Sequence, residues 1–194
     1  LKKYFTFFLF FLFISQGFSQ QVSNEKKSNF GFYLSGLTNK FQNNNNSFDQ
    51  KYNAGFGLGL FFLKTLNKSF NLEFAVQTSQ EYHKFEVNNY LFRLKEINLS
   101  FPVDVQYRLF GKSMFASGGI EYLNVLKYEV AEEIKLKRNN FNTSFGLTYR
   151  WKLKDFTISP QLKYNIGLNN SFENAKLENN ISKKSGFSLG IKLM

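Results

Sequence analysis

A chain of 194 residues favours one domain, and 26 Phe and 10 Tyr beside only 2 Pro favour strands. The absence of cysteine excludes disulfide frameworks and thiolate metal sites together. The net charge of +11 raises nucleic acid as a partner. The densest basic run, Lys135-Leu136-Lys137-Arg138, falls in an expected loop, so the basic surface is read instead as meeting anionic lipid headgroups or sugar phosphates.

Lys2 and Lys3 precede an apolar run over 4–14, broken only by Thr6, and small residues follow at Gly17 and Ser19. This is the pattern of a cleavable signal peptide over 1–19. The run is too short for the roughly 20 residues of a spanning helix. A polar linker, 20–28, then leads into a single domain, 29–194.

The first expected strand, 29–38, alternates Phe30, Phe32 and Leu34 with Gly31, Tyr33 and Ser35. A polar loop, 40–51, follows. The second strand, 52–63, sets Phe56, Leu58 and Leu60 against Gly55, Gly57 and Gly59. Glycines weaken a strand unless another group needs their space, and Arg150, Lys163 and Glu121 are the expected occupants. The third strand, 69–82, puts Phe70, Leu72, Phe74 and Val76 on one face and Asn71, Glu73, Ala75 and Gln77 on the other. Residues 83–93 read as a loop or ragged strand end.

The fourth strand is the most regular. Ile97, Leu99, Phe101, Val103, Val105, Tyr107 and Leu109 alternate with Asn98, Ser100, Pro102, Asp104, Gln106 and Arg108. Period-two alternation is the signature of a strand with two different faces. Its length suits a tilted strand crossing a bilayer, which needs roughly 9–11 residues. A weaker fifth strand, 114–123, is followed by a charged loop, 124–140, in which 125–134 could extend the neighbouring strands beyond the membrane. Strands at 141–151 and 156–168 follow, then a polar stretch, 169–185, and a last strand with Phe187, Leu189, Ile191 and Leu193 on one face. Pro102 and Pro160 fall mid-strand, where bulges are the expected accommodation.

The connections alternate between short and long, the pattern of an outer-membrane barrel. A lipocalin-like soluble barrel would have to enclose nearly all the large apolar side chains, which eight strands cannot do. The fold expected is therefore all-β, an eight-stranded antiparallel up-and-down transmembrane β-barrel preceded by a cleavable signal peptide. The location expected is the bacterial outer membrane.

Glu96-Ile97-Asn98-Leu99-Ser100-Phe101-Pro102-Val103-Asp104-Val105-Gln106-Tyr107-Arg108 and the leader ending Gly17-Phe18-Ser19-Gln20 carry a family resemblance. The chain resembles the PorT-like outer-membrane β-barrel family of the Bacteroidota. That family commonly shows a leucine-x-isoleucine-proline-leucine-x-x-lysine-tyrosine type of strand, followed by one with a central glycine. Pro102, Tyr107 and Gly118-Gly119 fit in order, while Asn98 stands where a looser match would want proline. The chain ends in Met194, where many outer-membrane barrels end in an aromatic residue. The resemblance implies an outer-membrane barrel. The family's named member assists protein secretion, a role not carried over here.

Glu73, Asp104, Arg108, Glu121, Arg150, Lys163 and Lys192 all fall on the inward phase. In an interior just wide enough for side chains they are expected to pair, plugging the lumen. Phe70, Tyr107, Trp151 and Phe156 lie beside short turns and suit an aromatic girdle. His83, the single histidine, lies near Ser79, Glu81 and Glu86. Ser79, Glu81 and His83 suggest a hydrolase triad, but no glycine-rich elbow or oxyanion device accompanies them, so His83 is read as a rim residue in a polar loop. No catalytic residues, cofactor or metal site are expected. The expected role is structural or adaptor, for a monomer among outer-membrane lipids that binds an envelope or secretion-related protein through its loops or turns. A small-solute pore and a lipid-modifying enzyme are the alternatives.

Overall fold

The structure is a computed structural model that describes residues 28–43, 49–87, 90–111, 113–129, 136–171 and 181–194. The expected signal peptide, and the linker up to residue 27, lie outside the described residues. The described chain has no helix. Its strands are β1 (Ser28–Asn43), β2 (Asp49–Thr65), β3 (Phe70–Val87), β4 (Tyr90–Arg108), β5 (Met114–Glu129), β6 (Asn139–Tyr149), β7 (Trp151–Lys152), β8 (Thr157–Gly167) and β9 (Ile181–Leu193).

Neighbours in sequence pair antiparallel, β1 pairs with β9, and β6 pairs with β8 to close the sheet on itself. β6 and β7 are two pieces of one stave, because both keep the same register against β8. The break lies opposite Pro160, which has no N–H to give to a ladder. Nine strands therefore make eight staves, and closure leaves no sheet edge within the wall.

The two phases of each strand fall on opposite faces. Phe30 is 77 % exposed, Leu58 52 % and Leu189 66 %, whereas Asn98 and Ser159 are 0 % exposed. Large apolar side chains thus line the outer wall and polar ones line the lumen. In water such a surface would carry a prohibitive apolar patch; in lipid it is the favourable one. The lumen has an apolar floor near the short connections, where Tyr33, Phe61, Leu63 and Ala75 are buried together with Met194 against them.

Three expectations are corrected. Residues 83–87 and 90–93, read as a loop or ragged strand end, are strand: β3 runs to Val87 and β4 begins at Tyr90. Likewise β1 extends to Asn43, β5 to Glu129, and β9 begins at Ile181. Above the apolar band the outward phase turns polar, as at Lys84 and Arg93, so alternation loses its contrast while the backbone ladder continues. The second correction concerns the prolines. The β4–β5 register is unchanged across Pro102, and the β8–β9 register across Pro160, so neither sits in a bulge. The one bulge in the β4–β5 pair lies at Ile97/Asn98.

The third correction concerns the glycines. A Cβ at Gly57 would meet Ser35 Oγ at 2.9 Å, and one at Gly55 would meet Glu81 Cγ at 2.8 Å. At Gly59 it would meet Gln77 Cγ at 2.7 Å. The space is taken by backbone carbonyls of β3 and side chains of the adjacent strands β1 and β3, and the nearest atoms do not include Arg150, Lys163 or Glu121 from across the lumen.

Candidate functional site in the barrel lumen

Charged residues of the inward phase gather at two levels. At the lower level, toward the short connections, Glu73 of β3 and Asp104 of β4 are cross-strand partners. Cations from the opposite wall reach them. Lys192 Nζ lies 2.6 Å from both carboxylate oxygens of Glu73, and Lys163 Nζ lies 2.5 Å from Asp104 Oδ2. All four residues are buried. Gln106 Nε2 donates to Glu73 Oε2 at 2.7 Å, and Ser144 Oγ to Asp104 Oδ1 at 3.0 Å. Hydrogen bonds to the remaining lone pairs are what make buried pairs tolerable.

Arg150 and Arg108 stack at this level on one inward ring, Phe115, with guanidinium carbons 3.9 and 5.6 Å from its centroid. Arg150 also donates to Gln106 Oε1. Phe115 supplies a cation–π partner that replaces part of the lost hydration. Glu121 stands apart from these pairs, half-buried, accepting from Asn142 Nδ2 at 2.8 Å.

At the upper level, toward the long connections, Glu81 and His83 lie two apart on β3, and Glu96 stands directly opposite Glu81 on β4. His83 Nε2 is 2.9 Å from Glu96 Oε1 and 3.6 Å from Glu81 Oε2. Lys184 of β9 reaches across, with Nζ 2.9 Å from Glu81 Oε2 and hydrogen-bonded to Glu96 Oε1. Asn39 Nδ2 donates to Glu81 Oε2 at 2.6 Å, and Asn98 Nδ2 to Glu81 Oε1 at 3.2 Å. Phe41 packs edge-on to the His83 ring at 5.0 Å. His83 is only 1 % exposed, so it is a lumen residue within a strand and not a rim residue in a loop.

Between the two levels lies a polar cavity of about 50 Å³, lined by residues that include Ser35, Gly57, Ser79, Glu121, Lys163 and Lys184. This is room for a few waters.

The girdle candidates sit on the outer wall beside the short connections. Phe70, Tyr107, Trp151 and Phe156 are all exposed. Phe70 and Tyr107 are cross-strand partners with rings 5.1 Å apart, and Trp151 faces Ile158.

The upper cluster was not assembled from the sequence. Lys184 sits in a stretch with the composition of a loop, and Glu96 precedes the apolar alternation of β4. A signal existed in parity: Glu73, Glu81 and His83 share one phase, as do Glu96 and Asp104, and as do Lys184 and Lys192.

A closed eight-stave barrel with an apolar outer wall and a packed polar interior is the fold of the small outer-membrane β-barrels. Among solved structures the chain is similar to the outer membrane protein OprG from Pseudomonas aeruginosa. That match has 10 % identity and a TM-score of 0.57, and covers 84 % of this chain and 92 % of that one. It is also similar to the outer membrane enzyme PagL, with 14 % identity, a TM-score of 0.48, and coverage of 84 % and 97 %. Neisserial surface protein A is similar at 14 % identity and a TM-score of 0.43, covering 85 % and 97 %. The fold likeness rests on the first of these. No family model matches the chain, and no curated protein matches its sequence.

Proposed function

We propose that the protein is a resident of the bacterial outer membrane whose lumen is plugged, and that it serves a structural or adaptor role through its loops or turns. The observation that carries this reading is the pairing inside the barrel. Glu73 with Lys192, Asp104 with Lys163, and Glu81 and Glu96 with Lys184 each join opposite walls by direct contact. Each pair is a crossbar over the lumen. A pore of the same stave number would need those crossbars removed, and the central cavity is water-sized.

A lipid-modifying activity is disfavoured by position. Ser79, Glu81 and His83 point into the lumen, away from the lipid-facing wall, and His83 is engaged with Glu96. The membrane partners of the outer wall are lipids. We place the chain with the PorT-like barrels of the Bacteroidota on the strength of β4 and the two glycines of β5, Gly118 and Gly119, and read residues 1–19 as its cleaved export signal. The protein is read as a monomer, its macromolecular partner an envelope or secretion-related protein.

Purified, refolded protein is expected to give no stable unitary currents in planar bilayers. It is also expected to migrate differently on gels before and after boiling. Sustained open-channel steps would overturn the plugged lumen, and unchanged mobility with a soluble periplasmic location would overturn the barrel's residence in the membrane.

A further inference from the structure

We propose that Glu81, His83 and Glu96 form a site for a divalent transition-metal ion, with Lys184 as the cation the ion displaces. The ligand atoms of the three residues all lie within 4.8 Å of one another, and all three side chains are buried. The ladder fixes their triangle. Glu81 and His83 share the inward face of β3, and the β3–β4 register sets Glu96 opposite Glu81. The site therefore owes nothing to loop conformation.

The donor set selects the kind of ion. One imidazole nitrogen with carboxylate oxygens suits first-row divalent ions from manganese to zinc better than magnesium or calcium, which take oxygen ligands. Charge points the same way. Two carboxylates face a single ammonium, Lys184, shared between them. With a neutral imidazole the cluster keeps one uncompensated negative charge, which a divalent ion in place of the ammonium would cancel.

A second, independent feature is Asn98. It is 0 % exposed, its Nδ2 lies on Glu81 Oε1 at 3.2 Å, and its Oδ1 is buried with no hydrogen-bond partner among the described residues. A half-turn of the amide brings that oxygen to the carboxylate side of the cluster, where it can serve as a neutral fourth ligand. Lys184 also lines the central polar cavity, so the displaced ammonium has a polar place to go. The site does not depend on whether the lumen conducts.

The test is titration of the EDTA-stripped, refolded full-length barrel with cobalt(II) chloride. The readouts are the visible d–d absorption band and the thermal unfolding midpoint. Wild type is expected to develop the band and unfold at higher temperature. Lys184→Met, which removes the competing cation, is expected to bind cobalt about tenfold more tightly or better. His83→Gln is expected to lose the band while remaining heat-modifiable on gels. If that variant does not fold, Glu96→Gln takes its place with the same expectation. Absence of band and midpoint shift in wild type overturns the proposal, even if Lys184→Met binds, because lysine would then be the permanent cation. Survival of the band with unchanged affinity in the folded ligand variant overturns it as well.

Discussion

Near the short connections one lysine meets one carboxylate twice over, Lys192 with Glu73 and Lys163 with Asp104; near the long connections Glu81 and Glu96 share Lys184 and His83. The lower pairs match charge for charge and pack beside Tyr33 and Phe61, whose ring centroids lie 5.7 and 5.4 Å from Lys192 Nζ. In the upper cluster Glu81 accepts from two amides, Asn39 and Asn98, where Glu73 and Asp104 each accept from one neutral side-chain donor, Gln106 and Ser144. Removing a partner should therefore hurt unequally. Below, the survivor is a stranded charge. Above, it is a carboxylate still holding hydrogen bonds.

The largest effect is expected at the lower level. Asp104→Leu leaves the Lys163 ammonium without its partner in a buried site and should cost about 3–5 kcal/mol in urea unfolding from lipid vesicles. Adding Lys163→Met should return most of that loss, since an apolar pair of similar volume tolerates burial. A double variant no better than the single one would show that the pair is not the source of the cost. Between the levels, Gly57→Leu should cost about 1–3 kcal/mol, because its side chain would meet Ser35 Oγ from the first atom onward.

At the upper level Lys184→Met should cost about 1–3 kcal/mol in metal-free buffer, less than Asp104→Leu, because Glu81 keeps its amide donors and Glu96 keeps His83. Equal losses at the two levels would erase the distinction between them. The smallest effect is expected at Ser159, whose buried Oγ has no hydrogen-bond partner among the described residues. Ser159→Ala removes an unsatisfied group and should change stability by less than about 0.5 kcal/mol in the same assay.

The lower cluster was largely legible in the sequence and the upper one was not, for a physical reason. Over 70–77 and 100–108 the lipid demands apolar residues outside and the lumen demands polar ones inside, so parity alone sorts Glu73, Asp104 and Gln106. Beyond the bilayer the outer face meets water, while the inner face keeps its buried polar residues. Lys84 and Arg93 stand outward there as His83 and Glu96 stand inward, and the contrast that marks a strand disappears. Which cation reaches which carboxylate was never in the pattern at all. Lys192 and Glu73 are 119 residues apart and meet only because the barrel closes through β1 and β9. The role of Phe115 escaped for a third reason. Parity placed it inward, but an aromatic ring shared by two guanidinium groups leaves no mark in spacing.

The staves are unequal, and this gives the molecule a bearing within the plane of the membrane. β1 to β5 run for 16 to 19 residues each, against 11 for β8, with the joined β6–β7 stave over 139–152 between them. At about 3.3 Å per residue and roughly 40° of tilt, a 17-residue stave rises about 43 Å and an 11-residue stave about 28 Å. The second figure barely clears the apolar band of about 25 Å. The ladder of the described strands therefore reaches higher on the β1–β5 side than at β8. A partner that gripped the raised side would sense which way the barrel is turned as well as where it is, so pairs of such contacts would fix azimuth in a bilayer that otherwise leaves every barrel free to spin.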